Sequence, residues 1–123
     1  MALSGNIQKL YNGGFTLITE WSEAQNVAGN YGTVTCTHKL KCASGYGLYI
    51  SGRSNSCIAG GISKTFKSPA ISTAGGTTIT LGTTTHKIDH DADGSKKISI
   101  STTFYVKATL DGKYVDSFTV KGT

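Results

Sequence analysis

The chain has 123 residues, which allows one domain with a core of its own and no need of disulfide or metal staples. Ile, Leu, Val and Phe number only 26, against 47 Ser, Thr and Gly; such a thin apolar supply suits an antiparallel sheet, which needs apolar side chains only at alternate positions. The formal net charge is +5, but its lysines are spread over several segments and Arg53 is the one arginine, a distribution that argues against nucleic acid as a partner. No apolar run approaches membrane-spanning length and no secretory core follows Met1, so the chain is expected to be soluble and made in the cytoplasm without a signal peptide.

Met1 to Gly14 carries little pattern and ends in the turn signal Asn12-Gly13-Gly14. Phe15 to Trp21 reads as a first strand with Phe15, Leu17, Thr19 and Trp21 on one face, and Ser22 to Asn30 as an irregular corner. Tyr31 to Cys42 alternates cleanly: Val34, Cys36, His38, Leu40 and Cys42 look inward, and Thr33, Thr35, Thr37, Lys39 and Lys41 outward. After a turn at Ala43-Ser44-Gly45, Tyr46 to Ser51 alternates again, and Gly52 to Ser56 reads as a polar loop. Cys57 to Ala59 and Ile62 to Lys67 form a hairpin about Gly60-Gly61, closed off by Ser68-Pro69. Ala70 to Gly76 reads as a link.

Thr77 to Leu81 places its apolar residues on odd numbers, whereas His86, Ile88 and His90 fall on even ones, so a bulge or bend is expected near Gly82. The strongest strand signal runs from Thr84 to Leu110: a strand, a tight turn at Asp93-Gly94, and a second strand with Ile98, Ile100, Thr102, Phe104, Val106, Ala108 and Leu110 on its buried face. A further turn at Asp111-Gly112 leads into Tyr114 to Lys121. With no helical period anywhere, the reading is an all-β antiparallel sandwich, Ig-like or jelly-roll-like, of about seven to nine strands, with Trp21, Val34 and Leu40 in the core beside Ile98, Ile100, Phe104 and Val106.

Several residues invite a chemical reading. Asp89, Asp91 and Asp93 before Gly94 match the first half of a calcium loop, but the position of the closing bidentate Glu is Ile100. A hairpin turn whose Asp side chains bond backbone amides is therefore preferred; no cofactor is assigned, and calcium is the alternative for this turn. His86 and His90 would stand about 13 Å apart on a strand, too far to share an ion, although His38 and the cysteines are able in principle to join one of them at a zinc site.

Cys36 and Cys42 are about 20 Å apart on one extended strand and cannot bridge without a bend. All three cysteines, Cys36, Cys42 and Cys57, are expected to be reduced core residues. Trp21 reads as a core anchor, with sugar stacking the sharper alternative; Tyr46 and Tyr49 are the other candidate stacking residues. No nucleophile elbow, zinc-protease motif or phosphate loop occurs, so no catalytic residue is assigned and the chain is expected not to be an enzyme. A glycan-cleaving enzyme would require Glu20, Glu23 and the Asp cluster to converge across a cleft.

Trp21-Ser22, Gln25-Asn26-Val27, Asn30 and Val34-Thr35, together with His90-Asp91-Ala92-Asp93-Gly94-Ser95-Lys96 and the Ile/Ser strand after it, resemble the N-terminal region of minor structural proteins from tails of siphophages that infect Gram-positive bacteria. The likeness extends from Trp21 to about Val120, and Asp91 stands where such proteins often have Asn. It implies a virion module of a tail or tail fibre, residues 1–123 being one domain at the start of a longer protein. The implied partners are other tail proteins or further copies of itself, with host wall polysaccharide as a possible second target. A carbohydrate-binding module is the alternative, in which aromatic faces stack on sugars and lysines meet phosphate-rich polymer.

Overall fold

The computed structural model describes residues 3–11, 14–26, 28–29, 31–89, 99–110 and 113–122. Among them the structure is all β, with twelve strands: β1 (Leu3–Tyr11), β2 (Phe15–Asn26), β3 (Tyr31–Cys42), β4 (Leu48–Ile50), β5 (Arg53–Ala59), β6 (Ile62–Ser68), β7 (Ile71–Thr73), β8 (Thr77–Asp89), β9 (Ile100–Phe104), β10 (Ala108–Leu110), β11 (Lys113–Val115) and β12 (Phe118–Gly122). Two four-stranded antiparallel sheets, ordered β1-β2-β3-β8 and β12-β9-β5-β6, face each other across the core; β4-β7 and β10-β11 are short accessory pairs. The expected antiparallel sandwich is present, with more strands than the seven to nine expected.

The extra strands come from segments without apolar alternation. β1 lies at a sheet edge and most of its side chains are exposed, so Met1 to Gly14 shows no two-residue period although Leu3–Tyr11 pairs with β2 over its whole length. β2 runs on through the expected corner to Asn26, because β1 and β3 flank it and satisfy its backbone. β5 begins at Arg53 inside the expected polar loop: Asn55 points inward, buried, while Ser54 and Ser56 face outward. β7 occupies the expected link and pairs with β4.

The long strand expected to run to Leu110 is interrupted. Burial alternates through Ile100, Thr102, Phe104 and Val106 as expected, but the ladder stops at Phe104 and Lys107 takes a left-handed backbone, φ 44°, before β10 starts. Ile98 and the turns at Asp93-Gly94 and Asp111-Gly112 lie outside the described residues.

Two expectations about backbone irregularity hold. Pairing of β3 with β8 steps from His38↔Gly82 to Lys39↔Thr80, so Leu81 is the extra residue and the inward phase switches from Leu81 to Thr84. Gly60 and Gly61, at φ 57° and 84°, make the two-residue connection between β5 and β6, a turn that needs positive φ at both positions.

The sandwich is tied at both sides. Between β8 and β6, His86 reaches the Ile62 carbonyl and Gly82 leaves room for the Phe66 ring. Between β1 and β12, the Tyr11 hydroxyl donates to the Thr119 carbonyl and accepts from the Thr119 amide. The filling is layered. At one end Tyr11 stacks on Phe118 at 4.6 Å, with Phe15 and Phe104 beside it; Ile88, Ala59 and Ile100 fill the other end. Between them lies a layer that is polar.

Candidate functional site

The middle layer is built from residues that strand register brings to one height. Thr19 on β2 pairs with His38 on β3, which pairs with Gly82 on β8. Cys36 pairs with Thr84, and His86 follows two residues on, on the same face. From the opposite sheet, Cys57 on β5 pairs with Thr102 on β9. Thr19, Cys36, His38, Cys57, His86 and Thr102 are fully buried and Thr84 nearly so.

These groups form a directed hydrogen-bond chain. His86 Nδ1 is 2.9 Å from the Ile62 carbonyl oxygen, which can only accept, so Nδ1 carries the proton and Nε2 the lone pair. Nε2 lies 2.9 Å from Thr84 Oγ1 and receives its O–H. Thr84 then accepts from His38 Nε2–H, also at 2.9 Å. His38 Nδ1 is left as an acceptor, with the Thr19 and Thr102 hydroxyls at 3.2 and 3.4 Å to supply its donor. Those two hydroxyls are 2.7 Å apart, and Thr102 Oγ1 is 3.6 Å from Cys57 Sγ. Phe66 stacks on the His38 ring at 4.3 Å. Every buried side-chain nitrogen and oxygen among the described residues has a partner, which is what makes so polar a core layer tolerable.

The two cysteines of this layer also meet. One ligating atom from each of Cys36, Cys57 and His86 lies within 4.8 Å of the other two. Cys36 hydrogen-bonds Cys57; that bond, with burial adding to it, pushes the Cys36 thiol up. The same bond pulls Cys57 down, helped by His38, His86 and Thr102 and opposed by burial, so Cys57 is the sulfur that ionises first. Cys42 is separate, near the aromatic end of the core, and burial alone pushes its thiol up.

The residues singled out from sequence fall in different places. His38 and His86 face inward as expected and join the polar layer, whereas Asp89 ends β8 exposed and His90, Asp91 and Asp93 lie outside the described residues. Trp21 is half-buried, packed against the core and covered by Gly5 of β1, in keeping with the anchor reading. Tyr46 stands edge-on to Phe15, six residues along β2 from Trp21, or about 20 Å. Tyr49 is 68% exposed. Trp21 therefore does not share one platform with Tyr46. Glu20 is exposed and ion-paired with Lys39 at 2.6 Å, while Glu23 is buried on the opposite face of β2, so these two carboxylates do not converge.

Sequence reading missed the meeting of Cys36 with Cys57 and the role of Thr19, Thr84 and Thr102. The available signal was phase: each of these residues except Cys57 sits on the inward parity of a strand whose apolar neighbours mark that face. No protein-family model, curated protein or solved structure matches this chain.

Proposed function

We propose that this chain is a virion structural module of a phage tail or tail fibre, acting by protein–protein assembly and host attachment and without turnover. The observation that carries the reading is how part of the tail-protein resemblance lies in space. Ser22 on β2 stands opposite Thr35 on β3, and their motif neighbours Trp21 and Val34 lie one residue along in the same ladder. Motif residues separated in the chain thus belong to one paired structural unit, as expected if the pattern is kept for the fold.

The surface supports assembly. Ile58 on β5 is 43% exposed and borders a groove of about 440 Å³ lined also by Gly61, Ser99, Ile100, Ser101, Lys121 and Gly122, a largely apolar surface with one lysine beside it, suited to another tail protein or a second copy. Such a module has no need of a resident cofactor. A carbohydrate-binding module is the second reading, favoured by the outward ring of Tyr49, which offers a stacking face for wall polysaccharide, with Tyr46 part-exposed and packed on Phe15.

Two measurements test this. Immunogold labelling of phage particles with antibody raised to the purified chain should decorate the tail; particles whose tails stay unlabelled while a host protein fraction carries the antigen would reject the assignment. Purified chain incubated with host wall polysaccharide should be retained weakly and release no reducing ends. Tight retention by a monomer would favour the second reading, and saturable release of reducing ends would overturn both.

A further inference from the structure

The polar layer has a use that assembly alone does not require. We propose that Cys36, Cys57 and His86 bind one zinc ion, which joins the two sheets from inside. This goes beyond the tail-module reading and does not depend on it.

Three observations converge. The donor set is two sulfurs and an imidazole, the combination that selects zinc over hard cations such as calcium and magnesium. The donors are already gathered: their ligating atoms lie within 4.8 Å of one another, and zinc at about 2.3 Å from sulfur and about 2.0 Å from nitrogen needs them about 3.5 to 3.8 Å apart, so a contraction of about 1 Å or less is required. The imidazole is also oriented as a ligand. His86 donates Nδ1–H to the Ile62 carbonyl, the outer hydrogen bond that fixes the tautomer of a metal-bound histidine and keeps the Nε2 lone pair, which here accepts from Thr84, as the donor to a metal.

The remaining polar groups fit around such an ion. On binding, the Thr84 hydroxyl would give up its bond to His86 Nε2 while still accepting from His38 Nε2–H. Thr102 stays beside Cys57 Sγ. His38 stands outside the ligand set: its Nε2–H bonds Thr84 and its Nδ1 faces the Thr19 and Thr102 hydroxyls. The proton balance is plain: zinc(II) displaces one proton from each of the two thiols, both protons leave to solvent, and the resulting zinc dithiolate is neutral, which limits the cost of burying it. Because β3 and β8 lie in one sheet and β5 in the other, the ion would tether the layers of a domain whose apolar core is thin. All three ligands are fully buried, so the metal would enter during folding.

The test uses the whole chain, expressed in zinc-supplemented medium and purified with a reductant and no chelator. Elemental analysis should find about one zinc per chain, kept through dialysis and released as an organomercurial titrates the thiols. Refolding with cobalt(II) should give a sulfur-to-cobalt charge-transfer band and the intense visible bands of tetrahedral coordination. Cys42→Ser should retain the metal, whereas Cys36→Ser and His86→Gln should lower affinity at least tenfold. Should those variants fail to fold, the cobalt spectrum of the unaltered chain decides. Folded protein with three titratable thiols and under a tenth of an equivalent of metal, a Cys36–Cys57 disulfide detected by mass, or full zinc retention in a folded Cys36→Ser/Cys57→Ser double variant would each overturn the proposal.

Discussion

His38 and His86 meet on a single hydroxyl: Thr84 Oγ1 lies 2.9 Å from Nε2 of each ring, receiving a proton from one and giving its own to the other. Neither ring is satisfied without it. Replacing Thr84 by Val keeps the shape but orphans a buried donor and a buried acceptor, each worth about 1 to 3 kcal/mol. Thr85→Val, one residue along on the exposed face, should change stability by less than about 0.5 kcal/mol. Urea unfolding of both variants measures the difference, and equal midpoints would remove the hydrogen-bond chain from the account.

The apolar end of the core makes a different claim. Phe104 is fully buried against Phe118, with ring centroids 6.3 Å apart, and Phe104→Ala should cost about 3 to 5 kcal/mol by leaving a cavity. Thr103 faces the other way and pairs with Thr119, so Thr103→Ala should be nearly neutral. Similar losses for the two in urea would mean that the face assignment of β9 is wrong.

Lys107 holds φ at 44° between β9 and β10, with its amide donating to the Asp116 carbonyl. A side chain there costs about 1 to 2 kcal/mol, which glycine avoids at the expense of about 0.5 to 1 kcal/mol in backbone entropy. Lys107→Gly should therefore hold or slightly raise the melting temperature, and Lys107→Val should lower it because a branched Cβ fits this region worst. The order Val below Lys, with Gly at or above Lys, is what thermal melts should return.

Burial raises the Cys42 thiol above its ordinary value of 9.0. In the unfolded chain the thiol ionises near that value, so the unfolded state loses protons first as pH rises. The stability from keeping Cys42 neutral is fully present below about pH 9 and is lost as pH climbs toward the raised folded value. Cys42→Ala should lower stability at pH 7 and flatten its decline between pH 8.5 and 10.5, as chemical denaturation across that range can read. An unchanged slope would show that Cys42 is not the group responsible.

For the acidic stretch from Asp89 to Asp93, we expect calcium to be dispensable. Millimolar calcium should leave the melting temperature unchanged, because half a loop lacks the closing bidentate carboxylate. A rise that vanishes in Asp91→Asn or Asp93→Asn would establish a native-state site, since a ligand that binds only the folded form must stabilise it.

Alternation along single strands was enough to determine the all-β class, the inward faces of β3 and β9 and the irregularity at Leu81-Gly82, because side-chain direction on a strand is a local property with period two. It was silent on β1, β7 and the start of β5, where edge position or polar inward residues such as Asn55 erase the period. The inward direction of Cys36, His38 and His86 was equally legible. What they face was not. That Cys57 comes from the opposite sheet to meet Cys36 and His86, and that Thr19, Thr84 and Thr102 complete a satisfied polar layer, depends on strand order and on the relative height of the two sheets. Those are set by packing between segments far apart in the chain, and no local pattern records them.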